Sequence, residues 1–393
     1  MRHTFTSLLA LASMAAAAPA KAIARQGGAF DLLVGGPSQI LTARFENNAF
    51  QIINKNFTAG SAPSWLRYKD STSTLYAVNE NGADLNTFTL KRDDAALNPA
   101  YDSSATGSAG VVFLEFNKDQ TRMVGAAYGS EMIDIWDTSA TGAPKLLKQI
   151  KIAGPVGPGQ TAHHPHQAIV DPTGAFMVIP DLGGDQLLVL DMQNDKFDIT
   201  NSVSLAAGSG PRHGSFIRVS DDKTFFVVAT ELSNLVVLYE AVYGGAEGLA
   251  FKYISEQSTY GTSPPANEST AAAGEVLVAA NLRDVYVSNR LSGDASDSVA
   301  HFVFDAAAPG LTFAASVPTT GILPRSMGFS SDADQTILFV ANQGGQNGLI
   351  ALARAADSGE LAAPPLGVLA NSDLVPEGSQ ASENVGPQFV AAL

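Results

Sequence analysis

The stretch DPTGAFMVIPDLGGDQLLVLD, Asp171 to Asp191, carries the plan of the whole chain. It opens on a turn of Asp, Pro, Thr and Gly, runs through a short apolar segment to Asp181, turns again at Gly183-Gly184, and leaves along a second apolar segment. Each apolar run is too short for a buried helix, and the residues between them are those that turns require. The unit is therefore a β-hairpin with an Asx-type turn before it.

Working outward, the same unit returns. Ser220-Asp221-Asp222-Lys223 leads into FFVVATELSNLVVLYE; other copies begin at Lys69, Asn117, Arg283 and Ser331, with a degenerate first copy, LLVGGPSQILTARF, from Leu32. The central strand of each copy starts at Leu32, Leu75, Met123, Met177, Phe225, Val285 and Leu338, a return roughly every fifty residues, which is the length of one four-stranded propeller blade. Helical periodicity is hard to find over ten or more residues, and a sandwich gives no reason for so regular a return. The reading is all-β: one seven-bladed β-propeller of four-stranded blades spanning residues 23–393. The last apolar segment, Gln388–Leu393, is expected to close the ring by pairing with the first blade, which removes exposed edges.

Residues 1–22 are set apart. Arg2 and His3 precede an apolar stretch, Ser7 to Ala18, followed by small residues that fit a cleavage site. This pattern is a secretory signal peptide, too short to span a membrane, and it predicts a secreted protein. The chain has no cysteine, which rules out cysteine catalysis and cysteine metal sites. Hydrophobic residues at 45% supply a large core; a net charge of −15 speaks against nucleic acid or an acidic membrane as partner.

Superimposing the copies gathers the chemistry. The ends of the central strands read Asn79-Glu80, Tyr128, Asp181, Glu231, Asn289-Arg290 and Asn342-Gln343. A second series follows a recurring proline where each innermost strand begins: Pro63-Ser64, Pro165-His166, Pro211-Arg212 and Pro324-Arg325, with His164 and His213 alongside. Both series fall at one end of the ring, around the axis. Some of these polar groups satisfy turn backbone, the role assigned to Asp171, Asp185 and Asp221. The rest concentrate charge in a chain with only 16% charged residues, and blades four to seven carry nearly all of it. Glu80, Asp181, His213, Asn289, Arg325, Asn342 and Gln343 are the expected substrate-binding residues.

His164, His166, Asp181 and Glu231 could ligate Zn²⁺ or Ca²⁺, but arginines at the same mouth would repel a dication, so no metal is expected. Neither a nucleophile elbow nor a phosphate-binding glycine loop is present, and no cofactor is expected. Arginines clamp carboxylate or phosphate oxygens and stabilise a developing oxyanion; histidine transfers protons near neutral pH, and Glu231 could orient it or act as the base. This equipment suits opening, closing or dehydrating a small, anionic substrate.

HPHQ, DPTG and PDLGGDQ between His164 and Gln186 resemble the seven-bladed β-propeller lactonase family. GPRH at 210–213, TELSN around Glu231, SNR at 288–290, LPR at 323–325 and ANQ at 341–343 extend the resemblance in order over most of the chain. The family includes phosphogluconolactonases and fungal muconate-lactonising cyclases. The resemblance implies a metal-free catalytic set of His164 or His166, Arg212, Glu231 and Arg290, with the proline register favouring His166, and a monomeric lactonase or cycloisomerase. An export signal sits poorly with intracellular sugar or muconate intermediates. The other readings are a fungal secondary-metabolite cyclase or dehydratase, pericyclic reactions such as hetero-Diels–Alder included, and a propeller that binds its ligand without chemistry.

Overall fold

Along the second strand of the fifth blade, Phe225 and Val227 pack toward the sixth blade while Phe226 and Val228 pack toward the fourth. Successive strand side chains point to opposite faces, so a strand buried on both faces reads as a continuous apolar run rather than an alternating one. That rule organises the molecule. In the computed structural model, which describes residues 28–58, 62–375 and 385–393, the strands form seven four-stranded antiparallel sheets. One apolar cluster lies between each neighbouring pair of blades: Leu33, Ile40, Leu75 and Phe88 between blades 1 and 2, Phe339, Ala351, Leu32 and Phe45 between blades 7 and 1. The core is thus a ring of seven interblade layers. The signal-peptide reading of 1–22 lies outside the described residues.

The first strands of neighbouring blades touch one another around the axis and so are innermost. Outermost strands such as Lys145–Lys151 and Asp198–Ser204 alternate between exposed and half-buried positions. Innermost strands of blades 2 to 7 are Leu66–Lys69, Val111–Phe116, Ile169–Val170, Pro211–Ser220, Ala272–Val278 and Ile322–Phe329. In blade 1 the chain's last strand, Phe389–Ala392, takes this place and pairs antiparallel with Leu32–Gly35. The closure expected from the sequence is the one observed.

Turn chemistry explains why the repeat is so visible. The Asp171 carboxylate accepts from the Thr173 and Phe176 amides, at 2.8 and 2.7 Å, and Gly174 takes a φ of +79°. Asp221 departs from its expected role, since its carboxylate pairs with the Arg218 guanidinium at 2.8 Å on the surface. Because each inner strand is antiparallel to the next, the start of the first strand and the end of the second meet at the same face of the ring. That face is the mouth.

Candidate active site

Asp185, at the hairpin turn of blade 4, builds the mouth from the loop side. Its carboxylate accepts from the amides of Gly208 (2.6 Å) and Gly210 (2.8 Å), in the segment that delivers Pro211, Arg212 and His213 to blade 5. Asp297 repeats the device in blade 6: it holds Leu291, Ser292 and, at 2.8 Å, the amide of Leu323, just ahead of Pro324-Arg325. Each carboxylate fixes the loop entering the following blade. Asp185→Ala would strand the buried Gly210 amide and the half-buried Gly208 amide, a loss of roughly 1–3 kcal/mol, and let Arg212 drift. A thermal melt should show the destabilisation, and a variant as stable as the parent would refute the clamp.

Held this way, the charged side chains converge. Glu231 Oε2 lies 2.8 Å from Arg212 Nε and 2.7 Å from Arg290 Nη2, bridging blades 5 and 6. Arg290 also donates to the Ala273 carbonyl at 3.0 Å. Its stem crosses the inner strand where Gly274 stands; a Cβ there would sit 3.0 Å from Arg290 Cδ and 2.5 Å from Ser288 Oγ, so no larger residue fits without a shift. Arg325 donates to Glu80 at 2.6 Å, joining blades 7 and 2. With a third carboxylate, Glu275, beneath it, the mouth sets three guanidinium groups against Glu231 and Glu80. It is less cationic than the sequence suggested, because every one of these arginines is already ion-paired.

His166 is buried beside them. Its Nδ1 lies 3.1 Å from Nε2 of His213, whose Nδ1 lies 2.9 Å from Oε1 of Glu275. Burial first, then the charges of Arg212, His213, Arg325 and Arg290, push His166 well below the ordinary histidine value of 6.5, so it is neutral at pH 7. Burial also lowers His213, although Glu275 opposes the shift. Glu231 behaves in the reverse sense: burial pulls it upward, but Arg290 and Arg212 outweigh burial and keep its carboxyl below the ordinary value. Burial and the neighbouring Arg290 lower Arg212 to about 9, which leaves it a cation at neutral pH. Tyr128 shares this field and is raised by burial and by Glu231.

The two candidate histidines separate here. The His164 ring stacks on Tyr128 at 4.1 Å and its Nδ1–H donates to the Tyr128 carbonyl at 3.0 Å. His166 meets the same tyrosine edge-on, at 5.6 Å, and faces the arginines. Glu231 is engaged by two arginines, whereas the carboxylate that touches a histidine of the mouth is Glu275.

Three expected substrate-binding residues turn away from the opening. Asp181 is fully buried; it accepts from His163 Nδ1 (2.6 Å), Gln186 Nε2 (2.8 Å) and the His164 amide (2.8 Å), and so secures the histidine loop. Asn289 donates to the Thr259 carbonyl at 2.8 Å, and Asn342 to the Asn347 carbonyl at 2.9 Å; both are fully buried. Gln343 is half-buried at the rim, where its carbonyl accepts from Gly386 at 2.7 Å. His213 belongs to the site from beneath, at 1% exposure, rather than from its surface. Glu275 went unread: its strand begins without the proline that marks blades 2, 4, 5 and 7, and a lone Glu between Gly274 and Val276 looks like an ordinary strand residue.

Below the histidines lies an aromatic floor. Trp65 stacks on Phe113 at 4.0 Å and meets Phe389 edge-on at 4.9 Å, and both Trp65 and Phe113 stand edge-on to His213. An axial cavity of about 330 Å³, lined by Trp65, Gln167, Ser215, Glu275 and Phe389 among others, continues from there away from the mouth. A wider cavity of about 670 Å³ lies toward the opposite face, lined by Arg67, Lys118, Asp171 and the chain's last residues.

The family model described as lactonase, 7-bladed beta-propeller, matches residues 31–367. A probable 6-phosphogluconolactonase of Arthroderma benhamiae is 30% identical over 277 residues, 68% of each chain. Among solved structures, the periplasmic gluconolactonase of Pseudomonas aeruginosa superimposes with a TM-score of 0.74 at 22% identity, covering 93% of this chain and 99% of that one. A putative 6-phosphogluconolactonase of Bacteroides fragilis gives 0.73 at 22%, covering 93% and 98%. These two likenesses establish the fold. With a family match over most of its length, repeated by a relative of 30% identity, the chain belongs to the seven-bladed β-propeller lactonases.

Proposed function

We propose that the mouth opens the lactone ring of a small polyhydroxy acid, with His166 as the proton acceptor. The observation that carries this reading is a neutral, buried imidazole beside the Arg212–Glu231–Arg290 ion-pair cluster. A water held at His166 Nε2 attacks the ring carbonyl and gives its proton to that nitrogen. The carbonyl oxygen becomes an oxyanion beside the guanidinium groups, which are fixed before the reaction by Glu231 and pay no reorganisation as charge develops. His166 then returns the proton to the ring oxygen as the C–O bond breaks, leaving a hydroxy acid. The guanidinium groups at the mouth suit an acidic substrate, whose oxygens they can clamp, and the lactonases named above act on gluconolactone or its 6-phosphate. We place the enzyme outside the cell, on the strength of the leader-like residues 1–22, and as a monomer; N-terminal sequencing of protein from the medium and its mass in solution test both.

Glucono-1,5-lactone and its 6-phosphate, followed by acid release in a pH-stat, test the reaction. Turnover of either supports the reading. Inertness to both, with turnover of a diene-bearing or dehydratable acid, would move the chemistry to cyclisation or dehydration; tight binding without product would leave a ligand-binding propeller. The pH dependence has a definite sign. His166 must be neutral, and Arg212, Arg290, Arg325 and His213 around it all lower its proton affinity. The acid limb of kcat/KM should therefore lie well below about 6.5, the free histidine value, with a plateau through pH 7. A limb at or above that value would contradict His166 as the base.

A further inference from the structure

His166 has two ring nitrogens, and among the described residues only Nδ1 has a hydrogen-bond partner. A carboxylate oxygen can only accept, so the proton shared by Glu275 Oε1 and His213, 2.9 Å apart, sits on His213 Nδ1. A neutral His213 then presents a bare lone pair at Nε2, and the proton on the 3.1 Å link to His166 belongs to His166 Nδ1. What remains on His166, on the side away from His213, is the lone pair of Nε2. The chain from Glu275 settles which nitrogen can take a proton.

Glu275 is built to hold this arrangement. It is 2% exposed, and its amide donates to Ser288 Oγ at 2.9 Å. Trp65 and Phe113 stand edge-on to His213, 5.8 and 5.5 Å between ring centres, and fix the plane of its ring. Oε2 of Glu275 is buried with no hydrogen-bond partner among the described residues, and Glu275 is one of the residues that line the axial cavity. Burial keeps His213 below its ordinary value, consistent with a neutral ring.

We propose that Glu275 is a positioning residue for ring opening: acting through His213, it fixes His166 as the Nδ1–H tautomer and thereby creates the base. This rests on the reading of His166 as proton acceptor. Glu275→Gln tests it, because a glutamine can turn its NH₂ toward His213, reverse both protons and leave His166 protonated at Nε2. The expected result is a fall in kcat of about 10⁴-fold with KM nearly unchanged, the scale of loss when a catalytic histidine is held in the wrong tautomer. Glu275→Asp, which keeps the acceptor, should recover much of the activity.

Imidazole ¹⁵N spectra of the full chain, assigned through single His→Gln variants, supply a readout that needs no substrate. The wild type should show His166 protonated at Nδ1, and Glu275→Gln should move that proton to Nε2. A wild-type His166 protonated at Nε2 overturns the proposal, and that spectrum decides the matter even where Glu275→Gln does not fold. Unchanged kcat in a folded Glu275→Gln also overturns it. If the spectra behave as expected but no lactone is turned over, the tautomer chain stands and the lactone reading falls. If lactones are turned over and the tautomers do not respond, the lactone reading stands and the chain falls.

Discussion

Deleting residues 389–393 should leave a chain that does not reach its native state. Phe389–Ala392 is the innermost strand of blade 1, and its loss exposes the edge of Leu32–Gly35 along its length. Phe389 and Val390 are 5% and 1% exposed, and they pack with the apolar layers of both neighbouring blades. An uncovered apolar edge offers its backbone to other chains, so the expected product is aggregate rather than soluble monomer. The milder Phe389→Ala should keep the fold and lose about 3–5 kcal/mol, the usual cost of emptying a buried phenylalanine site. Circular dichroism melts and size-exclusion chromatography read both effects. A truncated protein that elutes as a monomer and melts with the parent would show that the ring closes some other way.

Arg212→Ala should lower kcat/KM by about 10²–10³-fold, the range for removing one preorganised oxyanion donor. Arg212 is 2% exposed, its Nε lies 2.8 Å from Glu231, and its Nη1 has no hydrogen-bond partner among the described residues. Arg212→Lys retains the charge but loses the fork, so it should recover only a part of the lost rate. Glu231→Gln should also impair turnover, by releasing both arginines rather than by removing a proton acceptor. Steady-state kinetics on protein of confirmed fold make the comparison. Full activity in Arg212→Ala would remove the guanidinium cluster from the mechanism.

The propeller was legible because its repeat is written in backbone demands. Asp171 marks a turn whose amides need an acceptor, and runs such as FMVIP mark strands buried on both faces. The mouth was legible in part. A proline before the inner strand pointed to His166, Arg212 and Arg325, and the ends of second strands to Glu80, Glu231 and Arg290; these side chains do meet. Asp181, Asn289 and Asn342 were misread because a polar residue at a strand end serves either the opening or the loop backbone, and its type does not say which. Asp185 was read as an ordinary turn residue because its partners, Gly208 and Gly210, lie in the next blade. Pairing of this kind depends on how blades are arranged in space, and spacing along the chain carries no trace of it.

The aromatic floor makes the protein its own optical probe. The chain contains two tryptophans. Trp136 is sealed between blades 2 and 3, at 1% exposure, and supplies a steady background. Trp65 touches the imidazole of His213 on one side and Phe389 of the closing strand on another. Its emission should therefore register two separate events, the docking of the last strand and the titration of the histidine pair, without any label attached.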